Sequence, residues 1–288
     1  MLIDIITVFP EMVRDALSHS IVKRAMDSGL VTIRVVNLRD FTTDRHKTTD
    51  DMPYGGGGGM VMKIEPIARA LAYVTGALAE TREPPETSTS DEADGFVKGE
   101  WGSFRDRARD AGIRIALTDP RGPRFDQETA RQWARDSHLV LLCGHYEGVD
   151  DRVRQHLVTD EVSIGDYVLT GGELPALVIV DAVTRLQAGA LGDSDAPDKD
   201  SFADGLLEYP HYTRPREFAG WAAPEILLCG HHAEIERWRR WHQLRATQAR
   251  RPDMFRDFEV SKNDKKLLDG PEPTVPTDGK PIRRKSSQ

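Results

Sequence analysis

Short apolar runs separated by amphipathic stretches set the rhythm of the first 190 residues. LIDIITVF, VTIRVVNL, IRIALTD and HLVLLCG are rich in β-branched residues, and most end at turn residues, which predicts four strands. Helix-compatible segments lie between them. One is PEMVRDALSHSIVKRAMDSG, closed by Gly29 near a C-cap position. Strands alternating with helices predict an α/β fold on a buried parallel sheet. ALVIV, residues 176 to 180, fits a strand or a helix; Pro175 near a first helical position favours the helix.

Two stretches break the rhythm. EPPETSTSDEADGFVKGE, residues 83 to 100, mixes Pro, Ser, Thr and acids without apolar periodicity and reads as a surface insertion, bounded at 80–110. GDSDAPDKD, residues 192 to 200, reads as part of a flexible linker over 191–202. Beyond it, PEILLCGHHAEIERWRRWHQLRATQARRP has a helical period and predicts a small helical domain over 203–260. Residues 261–288 read by composition as a disordered tail. The α/β domain is therefore expected over 1–190.

Composition adds two constraints. The chain has 288 residues, and its two cysteines, Cys143 and Cys229, are too few for a disulfide framework, so a reducing cytoplasm is the expected setting. MLIDIITVFPEM has no basic leader and holds Asp4 within its apolar run, so it reads as a strand; LPALVIVDAV is too short to cross a bilayer, and no membrane partner is expected. The net charge of −8 argues against nucleic acid only as an average. Between 211 and 251, Arg214, Arg216, Arg237, Arg239, Arg240, Arg245, Arg250 and Arg251 face only Glu217, Glu225, Glu234 and Glu236. That segment is a basic face fit for phosphates.

Candidate chemistry gathers at glycines. DDMPYGGGGGM lacks the Gly-Lys-Ser/Thr of a phosphate loop, and the flexible and functional readings of it stay open. HLVLLCGHYEGVDDRV, ALTDPRGPRFDQ and SIGDYVLTGGELP place glycines and polar residues just past strands, where open parallel sheets bind ligands. These turns are poor in cations. Their backbone groups, with walls from Ile164, Val168 and Leu169 and with Glu147 and Asp166 nearby, suit a neutral heterocycle and ribose carrying a positive centre, such as adenosine bearing a sulfonium. Neither Cys143–His145–Glu147 nor Cys229–His231–His232 has zinc-site spacing, so no metal site is assigned. Trp238 and Trp241 read as core residues before stacking platforms.

Taken together, RHKTTDDMPYGGGGGM, GHYEGVDDRV, SIGDYVLTGGELPA, DAVTRL and DSFADGLLEYPHYTRP resemble the bacterial tRNA (guanine-N1)-methyltransferases, from about Leu2 to about Pro252. The resemblance implies a SPOUT-type parallel sheet tied in a deep trefoil knot, with a small C-terminal helical domain. It implies S-adenosylmethionine as cofactor, with magnesium an open addition. The cofactor residues carried over are Thr118, Asp119, Pro120 and Gly122; Gly144, Tyr146, Glu147 and Gly148; and Ile164, Gly165, Asp166, Tyr167, Val168, Leu169, Gly171, Gly172 and Pro175. The implied target is N1 of the guanine 3′ of the anticodon, position 37. Asp200 is the implied general base, and Arg185 the donor to the base's O6. Glu147 is assigned to the target guanine or the methionine end of the cofactor, and His211, Tyr212 and Arg214 to the anticodon stem of the tRNA anticodon stem-loop; the family's homodimers share active sites through the partner's linker. Asp119-Pro120-Arg121-Gly122 departs from the family's Ser-Pro-Gln-Gly, and His145 replaces its usual Arg. The alternatives are a knotted methyltransferase acting on another RNA base or ribose, and an RNA-binding protein without catalysis.

Overall fold

The computed structural model describes residues 1–76, 101–193 and 196–275. The chain divides into two compact units, Met1–Ser194 and Asp195–Gln288.

In the first unit the order along the chain is β1 (Leu2–Thr7), α1 (Pro10–Leu17), α2 (Ser20–Asp27), β2 (Thr32–Asn37), β3 (Asp50–Asp51), β4 (Val61–Met62) and α3 (Ile64–Thr75). Then come α4 (Phe104–Asp110), β5 (Ile113–Thr118), α5 (Gln127–Trp133), β6 (His138–Cys143), α6 (Asp151–His156), β7 (Asp160–Val162) and α7 (Glu173–Thr184). Five strands form one sheet in the order β2-β1-β6-β5-β7, every pair parallel. All four strands expected from the apolar runs are present. The fifth, β7, is too short and too acidic to stand out in the sequence.

The sheet is buried on both faces because successive side chains alternate. Along β6, Val140 and Leu142 pack with Ile67, Leu71 and Phe104 of one layer, while Leu139, Leu141 and Cys143 pack with Ile179, Val180 and Val183 of the other. ALVIV belongs to helix α7, as Pro175 favours. The expected single helix over 10–29 is instead two, broken between Leu17 and Ser20, where Ser20 takes φ +56°. Gly29, at φ +73°, caps the second. Of the insertion expected at 80–110, residues 80–100 lie outside the described residues. The remainder departs from that expectation: Phe104 and Ala108 of α4 are core residues.

One buried charge ties three strands together. Asp4, fully buried on β1, takes two hydrogen bonds from Arg34 of β2, both 2.6 Å, and lies 2.7 Å from His138 Nε2 of β6. The register places Arg34 directly opposite Asp4.

The second unit runs α8 (Ala196–Lys199), β8 (Glu217–Phe218), β9 (Trp221–Ala222), α9 (His232–Arg250), α10 (Pro252–Asp257) and α11 (Lys262–Asp269). Its buried side chains include Leu206, Ile226, Trp238 and Leu244. Helix α11 corrects the reading of a tail from 261. The buried Asp264 binds Arg240 of α9 through two hydrogen bonds, at 2.9 and 3.1 Å, and Ser261 caps the helix. Arg245 also donates to the Leu268 carbonyl at 2.7 Å, and a short helix held by such polar anchors, with Leu267 and Leu268 as its only leucines, offers little apolar pattern to read. Residues 276–288 lie outside the described residues. Among the described residues no helix is long and apolar enough to cross a membrane.

Asp4→Ala leaves Arg34 and His138 facing an empty carboxylate position. Arg34 is close to half exposed, so the loss sits at the low end for a broken buried pair, about 3 kcal/mol. Urea unfolding of the variant against the parent measures it.

Candidate functional site

Three neighbouring strands, β6, β5 and β7, release their loops at one level. Thr118 ends β5, pairing with Cys143 at the end of β6 on one side and with Val162 at the end of β7 on the other. The loops after these residues enclose a cleft of about 290 Å³ at the carboxyl edge of the sheet. Of the expected cofactor residues, Thr118, Asp119, Pro120, Gly144, Tyr146, Glu147, Gly148, Ile164, Gly165, Tyr167, Val168, Leu169, Gly171, Gly172 and Pro175 line it; Gly122 and Asp166 do not. Gly122 instead presses on the β7 backbone, where an added Cβ would meet the Val162 Cα at 2.7 Å. The Asp166 side chain is 87% exposed and faces Arg124 at 3.7 Å.

Glycine is required where the cleft floor is tightest. A Cβ on Gly172 would overlap Thr118 Oγ1 and lie 2.8 Å from the Cys143 Cα. Gly172 N–H donates to the Gly144 carbonyl at 2.7 Å, which pins the third loop to the second. Among the described residues, the N–H groups of Val168, Leu169 and Thr170 donate to no main-chain carbonyl, so the loop keeps donors for a ligand.

Beneath the floor is an acid that the sequence reading did not single out. Glu173, 2% exposed, opens helix α7 and accepts a hydrogen bond from Thr7 Oγ1 at 2.7 Å. A carboxylate at this position faces the positive end of the helix dipole. His145 Nδ1 lies 3.9 Å from Glu173 and, among the described residues, makes no hydrogen bond. Burial, reinforced by Glu173, pushes the Cys143 thiol well above its ordinary range.

The unusual Asp119-Pro120-Arg121-Gly122 loop is held by its own charges. Asp119 accepts from Arg121 N, Nε and Nη2 at 2.9, 3.0 and 2.9 Å, and from Arg154 Nη2 of α6 at 3.1 Å. Arg154 also reaches Glu161 at 3.2 Å. Burial, with the neighbouring Asp119 charge, raises the Glu161 carboxyl. Among the described residues Arg121 is the one Lys or Arg lining the cleft, and it is engaged with Asp119.

The five-glycine stretch, left open in the sequence, ends at this cleft. Glu147 N–H donates to the Met60 carbonyl at 3.1 Å and Met62 N–H to the Gly148 carbonyl at 2.9 Å. A Cβ on Gly59 would strike the Glu147 side chain.

The remaining candidates lie elsewhere. Arg185 caps the C-terminal end of α7, whereas the cleft meets that helix at Gly172 and Pro175; eleven or so residues of helix separate them, roughly 17 Å along the axis. Asp200, His211, Tyr212 and Arg214 belong to the second unit. There His211 pairs with Glu208 at 2.7 Å, and Tyr212 meets the Trp238 ring edge-on. Among the described residues, no group of three or more His, Cys, Asp or Glu side chains is gathered for a metal ion.

The profile of the family described as "tRNA (Guanine-1)-methyltransferase TrmD" matches residues 1–84 and 100–257. A protein from Brevibacillus brevis named tRNA (guanine-N(1)-)-methyltransferase is 49% identical over 268 residues, 93% of this chain and 97% of its own length. Proteins of the same name from Desulforamulus reducens and Dehalococcoides mccartyi are each 47% identical over 93% of this chain, covering 94% and 96% of their own lengths.

The burial of Cys143 yields a test of the cleft floor. With a thiol reagent such as Ellman's, the native chain should react quickly at Cys229 alone, and Cys143 should react only after denaturant is added. Fast labelling of both thiols in the native state would contradict this floor.

Proposed function

This chain belongs to the tRNA (guanine-N1)-methyltransferase family and is an enzyme of that activity, and we propose from this premise how its residues divide the work. S-adenosylmethionine is the methyl donor, and it binds in the cleft at the ends of β5, β6 and β7. Bound there, it supplies an electrophilic methyl group on a positively charged sulfur. The residues present fit such a ligand: a glycine floor that any Cβ would fill, apolar sides at Ile164 and Leu169, and the engagement of Arg121 with Asp119. The three loops are those that the SPOUT knot would thread.

The target is the guanine at position 37, directly 3′ of the anticodon. Asp200 takes the N1 proton as the methyl group arrives, and the Arg185 guanidinium donates to O6, where negative charge develops. Arg185 sits at the far end of α7 from its own cleft, so we assign it, together with Asp200 and the linker, to the site of a second copy. A homodimer would then hold two equal sites. The meeting of three strand ends in one glycine-floored cleft is the observation that supports this reading most directly. The enzyme would work in the cytoplasm, where its tRNA substrate is.

Two experiments test the proposal. The purified chain, given labelled donor, should methylate tRNA carrying guanine at position 37 and not the same tRNA with adenine there. Nucleoside analysis should give 1-methylguanosine; a methyl group on ribose or on another base overturns the target. Asp200→Asn should lower transfer by about 100-fold or more while leaving donor binding unchanged by calorimetry. Full turnover in that variant would remove Asp200 as the base.

A further inference from the structure

Residues 211 to 222 are exposed without interruption, yet 216 to 223 are joined by main-chain bonds of their own. Strands β8 and β9 pair antiparallel, with Phe218 directly opposite Trp221, and Ala223 N–H donates to the Arg216 carbonyl at 2.8 Å. Ala219 and Gly220 form the two-residue turn with φ of +52° and +85°, the left-handed pair that tight hairpins use. Cross-strand partners share a face, so both rings project from the same side. Their centroids are 6.2 Å apart, and they are 66% and 75% exposed.

Single exposed apolar side chains are ordinary, but two adjoining exposed rings form a contiguous apolar surface, and such surfaces mark interaction sites. The rings brace each other, which fixes their orientation before any partner arrives. Their combined free surface is small, roughly 300 Å², far below what a stable protein–protein interface buries. One ring face is nonetheless enough for one nucleobase. The charge around the pair fits an RNA strand. Arg214 makes no ion pair among the described residues, and Arg216 has only a surface pair with Glu225, 3.1 Å long and exposed at both ends, which a phosphate can replace at little expense. Most other arginines of this unit are committed internally. Arg237 and Arg239 pair with Glu234 and Glu236, Arg240 with Asp204 and Asp264, and Arg251 with Asp253.

We propose that the Phe218–Trp221 hairpin is a base-stacking platform that receives an unpaired nucleobase of the tRNA, with Arg214 and Arg216 on the flanking phosphates. It rests on the tRNA reading above and extends it to a contact that the sequence motifs do not mark. Because the two rings touch, a base does not slide between them; it stacks on the outer face of the pair. Stacking uses the π-face common to all bases, so the platform anchors a loop without reading its sequence.

The test first confirms methylation of tRNA by the parent enzyme, which keeps a failure of the tRNA reading separate from a failure of the platform. Affinity for tRNA is then measured by filter binding across a salt series. The double substitution Phe218→Ala with Trp221→Ala should weaken binding about fivefold to 150-fold without changing the salt slope, since no charge is lost. Phe218→Leu with Trp221→Leu should lose as much, because leucine is apolar but cannot stack. Phe218→Tyr with Trp221→Phe should bind within about twofold of the parent, which excludes misfolding as the cause. Arg214→Ala should lower the salt slope by about 0.7 to 0.9. Parent-like binding by the leucine pair would overturn the platform. So would parent-like tRNA binding by the alanine pair accompanied by loss of an oligomer in light scattering, which would make the hairpin a contact between copies.

Discussion

The cleft depends on one alignment: Thr118 sits level with Cys143 on one side and with Val162 on the other. A parallel sheet releases every strand at the same edge, but only a register that aligns the strand ends releases them at the same height. Here the match brings the Gly172 backbone down onto Thr118 and Cys143, closer than any side chain would allow. A slip of one residue in β5 would exchange its core-facing and opposite-facing side chains as well as the height of the loop, so the burial of Ile115, Ala116 and Leu117 enforces the geometry of the site. Core packing and ligand geometry are therefore one constraint, not two.

The polar groups under the cleft follow from that alignment. Glycine-floored loops bring backbone close together and leave little space for water, so any carboxylate below them must find its partners within the protein. Glu173 has Thr7 and the first turn of α7; Asp119 has Arg121 and Arg154. Glu173 places negative charge behind the cleft, while Asp119 and Arg121, both in the lining, offset each other. The local field thus favours a positively charged ligand over a phosphate, consistent with the scarcity of Lys and Arg in SIGDYVLTGGELP.

Legibility in the sequence followed burial. The four long strands were readable because central strands buried on both faces are continuous β-branched runs. β7 was not, because Asp-Glu-Val at a sheet edge carries no such run. The break between α1 and α2 has no Gly or Pro to announce it, and α11 is held by polar anchors such as the Arg240–Asp264 pair and offers little apolar pattern. The lining of the cleft was largely readable as glycines after strands. Its support was not: Glu173 and Thr7 are 166 residues apart in sequence, and only folding joins them. Asp200 and Arg185 look by composition like a linker acid and a surface helix arginine, and only the family resemblance marks them.

The second unit shows why a count of basic residues overstates an electrostatic surface. Its eight arginines between 211 and 251 outnumber the glutamates of that segment two to one, yet five of them form ion pairs within the unit and Arg245 donates to the Leu268 carbonyl. Such pairs build the unit: Arg240, between Asp204 and Asp264, joins segments that have little apolar surface to share. What remains for a polyanion is Arg214 and Arg250, together with Arg216, whose pair with Glu225 is exposed at both ends. An RNA held by few phosphate contacts must be held partly by its bases, and those open to a protein lie in loops, bulges and ends. On the proposal that this unit binds the tRNA, weak net electrostatics favours unpaired bases over a helix as the place where it would grip.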